Sequence, residues 1–600
     1  MSAVSINDFV ITVATINGSG SQSANNILVR TLFRMGVPVG GKNLFPSNIQ
    51  GLPTWFTIRA SARGFTSRRN QSDVVVAMNP ATALEDVKLL KKGGILIANA
   101  DIKLTLPSER GDVKVLSLPF KDMVADLTDS VKLRKLLVNM AYVGVLAELM
   151  DLPQQTLDEV IDRQFSDKAS VVDANRKAIA AGRAYAVEHL KNDHFPFKVS
   201  VRPGGNADKI LIDGNTASAM GLLFGGCTVV AWYPITPSSS LVESFIDLAN
   251  THRVGPNGKK NFAVVQAEDE LASISMVVGA GWAGARAMTA TSGPGMSLMS
   301  EAAGLAYYAE VPAVLWNVQR VGPSTGLPTR TMQGDVLSAY YLSHGDTKHV
   351  VLLPGNPEEC FEFGQTAFDL AERLQTLVLV LSDLDIGMNL HITKRFQYPE
   401  KPLDRGKVLS ADDLQKLGKF ERYRDVDGDG IAPRTVTGTA HPLAAYFTRG
   451  TGHNEAGQYS EKASDYKNNM DRLARKFETA RRLVPAPIID VSAKAKVGLI
   501  AYGSSREACH EARTLLAEQG LTTDTFFLRA LPFGAEFSEF LRQHERVYVV
   551  EQNRDAQLLA ILRAELPELA GRCHSVLHYD GLPLEAETVV QQILSQERPS

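Results

Sequence analysis

Phe262-Ala263-Val264-Val265-Gln266-Ala267-Glu268-Asp269-Glu270-Leu271 passes from an apolar, strand-like run through a polar loop into a helix-like segment, Leu271 to Ala283. The pattern repeats downstream. Ala285 to Thr291 leads into Thr291-Ser292-Gly293-Pro294-Gly295 and a helical stretch, Met296 to Ala309. Ala313 to Val318 leads into Gln319-Arg320-Val321-Gly322-Pro323-Ser324-Thr325-Gly326-Leu327-Pro328-Thr329-Arg330. Upstream, Thr228 to Trp232 leads into Tyr233-Pro234-Ile235-Thr236-Pro237-Ser238-Ser239 and a helical stretch, Leu241 to Asn250. Further strands are expected at His349 to Leu353 and Leu377 to Leu381. Such alternation predicts an α/β fold with a doubly wound parallel sheet. In that architecture the four loops gather on one edge of the sheet, where ligands bind.

The whole chain has 600 residues, too many for one core, so several domains are expected. The reading divides it into an α/β unit at 1–195, the alternating unit at 196–395, an irregular connecting segment at 396–490 and an α/β unit at 491–600. In the first unit, strands are expected at Val10 to Thr15, Asp73 to Met78, Gly94 to Asn99 and Val113 to Leu118. Helices are expected at Ala24 to Arg34, Lys132 to Met150 and Ala174 to Leu190. Its first turn, Gly18-Ser19-Gly20, is only a Gly-x-Gly, which serves a tight strand-to-helix turn as well as a phosphate cradle. Residues 192 to 208 mix Pro, Gly and polar side chains and read as a linker. In the last unit the reading places strands at Val497 to Tyr502, Thr523 to Leu528 and Arg546 to Glu551.

A net charge of −3 gives no electrostatic reason to expect nucleic acid or a membrane surface as partner. The run Leu136 to Met150 carries Asn139 and Glu148 and is too short to span a bilayer. No basic leader is evident, and a cytoplasmic protein is expected. Cys227, Cys360, Cys509 and Cys573 lack the close spacing of a zinc or iron–sulfur motif.

Glu268, Asp269 and Glu270 stand at a helix start, where the helix dipole alone favours acids. Beside the small, apolar face that follows Glu270, a carboxyl can also be desolvated and share a proton with a bound base. Thr236 lies between two prolines and presents its hydroxyl rigidly, as a turn residue or as a ligand contact. Arg320, at a strand end, is either solvated or offers its planar fork to a carboxylate or phosphate, with Thr325, Thr329 and Arg330 on the same loop. Asp425-Val426-Asp427-Gly428-Asp429-Gly430 begins like a calcium loop, but Val436 stands where the bidentate Glu is required, and a turn-rich acidic loop is the better reading. No metal site is assigned, and the role of His453-Asn454-Glu455 stays open. The residues alone lead to an α/β enzyme subunit with an anionic substrate.

The loops resemble those of the 2-oxoacid:ferredoxin oxidoreductases, in the α-chain form with a γ domain fused at its N-terminus. The likeness rests on Tyr233 to Pro237, the acidic loop ending in Glu270, Ala287 to Gly295, and Gln319 to Thr329, with Pro46 to Trp55 similar to the γ-domain segment. It implies a thiamine-diphosphate fold with a γ-type domain in front and a transketolase C-terminal-like domain behind. It also implies coenzyme A-dependent oxidative decarboxylation of a 2-oxoacid with ferredoxin as acceptor. Thiamine diphosphate with magnesium is then shared with a β chain that also carries the [4Fe-4S] cluster, in an assembly of two αβ units.

By position Glu270 matches the glutamate that hydrogen-bonds the aminopyrimidine of thiamine and favours its imino tautomer. Tyr233, Pro234 and Ile235 fall at cofactor-binding positions, and Thr236, Arg320, Thr325 and Thr329 at substrate-binding ones. The loop from Arg320 to Thr329 is similar to those of 2-oxoglutarate-using and broad-range members, so 2-oxoglutarate is the expected substrate. The other readings are pyruvate, indolepyruvate or branched-chain oxoacids as substrate, and a non-catalytic thiamine-fold binding subunit.

Overall fold

The computed structural model describes residues 4–47, 51–166, 168–191 and 194–597. The chain folds as two compact units, residues 1–212 with 389–395, and residues 213–388 with 396–600.

The first unit is built on a six-stranded sheet in the order Val39–Leu44, Pro53–Ala60, Phe9–Ile16, Ser72–Ala77, Leu90–Asn99, Lys114–Leu118. Pro53–Ala60 runs antiparallel to both its neighbours, and the remaining pairs are parallel. Helices Ser21–Arg34, Val131–Leu149 and Ala169–His189 cover it. At the Gly18-Ser19-Gly20 turn, Asn139 donates to the Ser19 carbonyl at 2.7 Å. A Cβ at Gly20 would lie 2.8 Å from the Leu136 side chain, so the turn is packed over by its own unit. The stretch expected to be a linker is partly structured. Phe197–Lys198 pairs with Ser5–Ile6, and Asn206 donates to the Phe33 and Val37 carbonyls. Of the segment from Pro46 to Trp55, Asn48, Ile49 and Gln50 lie outside the described residues.

The second unit holds two sheets. The larger runs Ala263–Gln266, Val229–Trp232, Ala287–Thr291, Ala313–Gln319, Leu377–Asp383, Val350–Leu352, and then a short antiparallel strand, Ala530–Leu531. The other six strands are parallel, as the alternation predicts. Its central strands are buried along their whole length, which is why they read as continuous apolar runs. Ala263–Gln266, apolar in sequence, is an exposed edge strand with Val265 40% accessible, because no strand lies beyond it.

The smaller sheet runs Ile488–Asp490, Thr523–Leu528, Val497–Tyr502, Arg546–Glu551, Cys573–Leu577. One hydrophobic core, from Ala231 and Leu315 to Ile500 and Phe526, joins the two sheets. The segment 396–490, expected to be irregular, contains a well-formed eighteen-residue helix, Ala463–Ala480, and a seven-residue one, Ala411–Leu417. Among the described residues, no helix is long and apolar enough to cross a membrane.

Candidate active site at the sheet edge

The parallel strands end at Trp232, Gln266, Thr291, Gln319, Leu352 and Asp383, so the four polar loops do emerge on one edge of the larger sheet. The first loop is anchored from outside it. Asn215, wholly buried at the start of helix Gly214–Phe224, donates to the Pro237 carbonyl at 2.9 Å and to the Ser240 hydroxyl at 2.8 Å. Ser238, at the N-cap position of helix Ser239–His252, turns its hydroxyl back to the Ile235 carbonyl and makes no cap bond. Tyr233 and Pro234 remain exposed, and Ile235 and Thr236 are half-buried.

The three acids sort themselves by position. Asp269 caps helix Glu270–Trp282, accepting from the Ala272 amide at 2.7 Å. Glu268 is exposed. Glu270 is buried, and among the described residues its carboxylate has neither hydrogen-bond nor ion-pair partner. It lies over the third loop: a Cβ at Gly295 would sit 2.0 Å from Thr291 Oγ1, 2.8 Å from Glu270 Cγ and 2.9 Å from Glu270 Oε1. Only glycine permits this approach. The helix-capping reading of the cluster therefore belongs to Asp269, and the carboxylate turned into the fold is Glu270.

Arg320 ties the first loop to the fourth. Its Nη1 donates to the Thr236 carbonyl at 2.7 Å and its Nη2 to the Thr325 carbonyl at 3.2 Å, while Nε is buried without a partner. The side chain is 7% accessible, and burial lowers its pKa against the opposing pull of Asp335. Two of its five N–H groups are thus spent on backbone carbonyls. Thr325 offers this carbonyl, and its side chain stays exposed at the loop tip. Thr329 is buried and accepts from Arg330 Nη1 at 3.1 Å, leaving its own O–H to donate. The Val321 amide bonds to the Arg330 carbonyl, so Arg320 and Arg330 flank one folded-back loop.

Sequence reasoning passed over Asp335, Asn317 and Gln319, which complete this edge. Asn317 Nδ2 donates to Asp335 Oδ2 at 2.9 Å, and the Asp335 amide donates to Gln319 Oε1 at 3.0 Å. The Asp335 carboxylate lies against the third loop, 2.8 Å from where a Gly293 Cβ would be. Burial pushes its pKa up to about 6, although Asn317 and Arg320 both act to lower it. A signal was present: Asn317 and Gln319 are two polar residues at period two, hence on one face, of an otherwise apolar buried strand.

The edge therefore presents one unpartnered carboxylate, two arginines whose pKa burial lowers and a carboxyl that burial raises to about 6. Thr289 Oγ1, Ser292 Oγ and Asn317 Oδ1 add buried polar atoms without partners. This set fits the aminopyrimidine end of thiamine diphosphate, a flat base that needs a proton-holding acid and polar contacts at its rim.

The acidic loop at Asp425 is organised by the protein itself. Asp425 accepts from the Gly428 and Gly430 amides, and Lys407 places its ammonium 2.7 Å from both Asp427 and Asp429. His453 is packed against the rings of Tyr423 and Tyr308, and its Nδ1 pairs with the Thr451 carbonyl at 3.0 Å.

Comparison with known proteins places these features. Residues 220–461 match the family model described as pyruvate flavodoxin/ferredoxin oxidoreductase, thiamine diP-bdg. Residues 10–185 match the one described as pyruvate ferredoxin/flavodoxin oxidoreductase. The chain is 30% identical to subunit alpha of 2-oxoacid:ferredoxin oxidoreductase 2 of Aeropyrum pernix, over 98% of each chain. It is 28% identical to the 2-oxoglutarate oxidoreductase subunit KorA of Mycobacterium tuberculosis, over 93% of this chain and 87% of that one. Its fold superposes on the 2-oxoglutarate:ferredoxin oxidoreductase of Magnetococcus marinus, solved with 2-oxoglutarate, coenzyme A and succinyl-CoA bound. The TM-score is 0.88 at 28% identity, over 99% of this chain and 100% of that one.

Proposed function

We propose, from the premise that this chain belongs to the 2-oxoacid:ferredoxin oxidoreductase family as an alpha subunit, that its substrate is 2-oxoglutarate. In the forward direction the oxoacid loses carbon dioxide and two electrons, its acyl group passes to coenzyme A, and ferredoxin takes up the electrons. The reverse direction carboxylates succinyl-CoA. The observation that carries the choice is the pair of arginines on one loop. A dicarboxylic oxoacid brings two anions, and Arg320 and Arg330 are two cations on one loop whose pKa burial lowers. The 2-oxoglutarate enzymes among the relatives support the same choice. Pyruvate, for which the family models are named, is the competing reading.

Thiamine diphosphate, when bound with magnesium, supplies the carbon nucleophile for the oxo carbon. Glu270 holds a proton at its carboxylate toward a ring nitrogen, and Gly295 leaves the room for it. Tyr233, Pro234 and Ile235 wall the cofactor. Arg320, with the N–H groups that its two Nη nitrogens keep free of the Thr236 and Thr325 carbonyls, binds the carboxylate beside the ketone, and the Thr329 hydroxyl orients it. Thr236 and Thr325, whose carbonyls hold Arg320, act mainly by aiming the guanidinium.

A β chain supplies the diphosphate–magnesium residues and the [4Fe-4S] cluster, in an assembly of two αβ units in the cytoplasm. The four cysteines here are each buried, and among the described residues none belongs to a group of side chains placed to share a metal. Helix Glu270–Trp282 leaves Leu271, Met276 and Trp282 exposed, an apolar surface where the β chain packs.

The test is kinetic, with the β chain present. Arg320→Leu should cost on the order of 2–4 kcal/mol, about 30- to 1000-fold in kcat/KM for 2-oxoglutarate. Arg320→Lys should recover only part of it, and the KM for coenzyme A should hold. A loss confined to coenzyme A would make Arg320 a phosphate-binding residue and remove the substrate assignment.

A further inference from the structure

Gln333 is 1% accessible and uses both its backbone and its side chain on the smaller sheet. Its amide N–H donates to the Gln552 carbonyl at 2.8 Å, and its carbonyl accepts from Asn553 Nδ2 at 3.0 Å. Its side-chain Nε2 donates to the Tyr502 carbonyl at 2.8 Å. Its Oε1 accepts from the Gln552 amide at 3.0 Å and from the Ser505 hydroxyl at 3.1 Å. These five bonds lie at the ends of strands Val497–Tyr502 and Arg546–Glu551, about 170 to 220 residues away in sequence. Gly503, at φ +54°, leaves the space: a Cβ there would come 2.8 Å from Gln333 Nε2.

The residues around Gln333 all lead to the active-site edge. Asp335, two positions on, is held by Asn317 and Gln319. The Thr331 amide donates to the Gly581 carbonyl at 3.0 Å. Gly334 is gripped through its carbonyl by Gln557 Nε2 at 2.7 Å. The segment is thus fixed behind by the smaller sheet and carries Thr329, Arg330 and Asp335 in front. We propose that Gln333 is a positioning residue: its plug into the edge of the smaller sheet sets the oxoacid-binding loop, so that the C-terminal sheet governs substrate affinity without touching substrate. This rests on the reading that the Arg320–Arg330 loop holds the oxoacid.

Gln333→Met keeps the length and loses the amide group, removing three of the five bonds. Gly503→Ala presses on the plug without altering Gln333. Arg472→Met, in a buried ion cluster elsewhere in the unit, serves as a variant of lowered stability that leaves the plug intact. With the β chain present, both plug variants should raise the oxoacid KM about tenfold or more, with kcat and the coenzyme A KM changed less than about threefold. Amide hydrogen exchange over residues 320–335 should speed up in both plug variants and not in Arg472→Met. An unchanged exchange pattern in this segment, or an equal KM shift in Arg472→Met, would reduce Gln333 to a stability contact and overturn the proposal. Faster exchange in the loop, with Arg320→Leu leaving the oxoacid KM unmoved, would keep the plug and reject only the loop's assignment as oxoacid site.

Discussion

In the proposed mechanism, Glu270 is the residue on which the chemistry turns. It is the one acid of three that neither caps the helix nor meets solvent, and Gly295 exists beneath it because nothing larger fits. Glu270→Gln keeps the size and loses the proton-holding oxygen, so turnover should fall roughly a hundredfold or more, the usual scale for an acid–base role. Activity within about threefold of the parent would point to Glu268 instead. Asp335 gives a pH signature. Below about pH 6 its carboxyl is protonated and leaves the Arg320 charge to the substrate; above it, the carboxylate competes with the anion. Oxoacid affinity should therefore rise as pH falls through about 6, and Asp335→Asn should abolish the step, read as KM against pH. The carboxyl's usual value is 3.8, so between there and about 6 the folded chain keeps a proton that the unfolded chain has lost. Stability falls as pH rises through that window. Glu270, Thr236 and Arg320 could be singled out as candidates because each follows a strand end, Glu270 in an acidic loop and the other two in Gly- or Pro-rich turns. Asp335 and Gln333 could not, since their partners are distant in the chain and no local spacing encodes them.

At the scale of elements, strands were the most legible. Val497–Tyr502, Thr523–Leu528 and Arg546–Glu551 fall where the apolar runs place them. The stretch from Met296 to Ala309 reads as one helix but forms two, Gly293–Leu298 and Ser300–Tyr308. Helix Ala463–Ala480 escaped for a physical reason: its buried face carries Arg472 and Lys476, which read as solvent-facing until Glu310 is seen to pair with both. The exposed face of helix Glu270–Trp282 carries its own prediction. Leu271→Glu and Met276→Glu place charges on apolar side chains that are about half in water, so the isolated chain should keep its fold and its unfolding midpoint. Association with the β chain should weaken by about tenfold or more, as measured by titration. Full-strength association in both variants would move the interface elsewhere.

For the whole molecule, Glu310 joins the 396–490 segment to the larger sheet. Despite its burial, Arg472 and Lys476 hold its carboxyl well below the usual range. The same burial lowers Lys476 to about 8. Around that frame the chain brings together, in the proposed reading, the edge that binds the oxoacid, the acid that holds a proton and an exposed apolar surface for the β chain. The most direct measurement is coenzyme A-dependent oxidation of 2-oxoglutarate and of pyruvate, first by the purified chain and then after addition of the β chain. Alone, the chain should be colourless and inactive. With its partner it should turn over 2-oxoglutarate with kcat/KM about tenfold or more above pyruvate. A brown and active preparation of this polypeptide alone would contradict the account, and so would a recombined enzyme that prefers pyruvate.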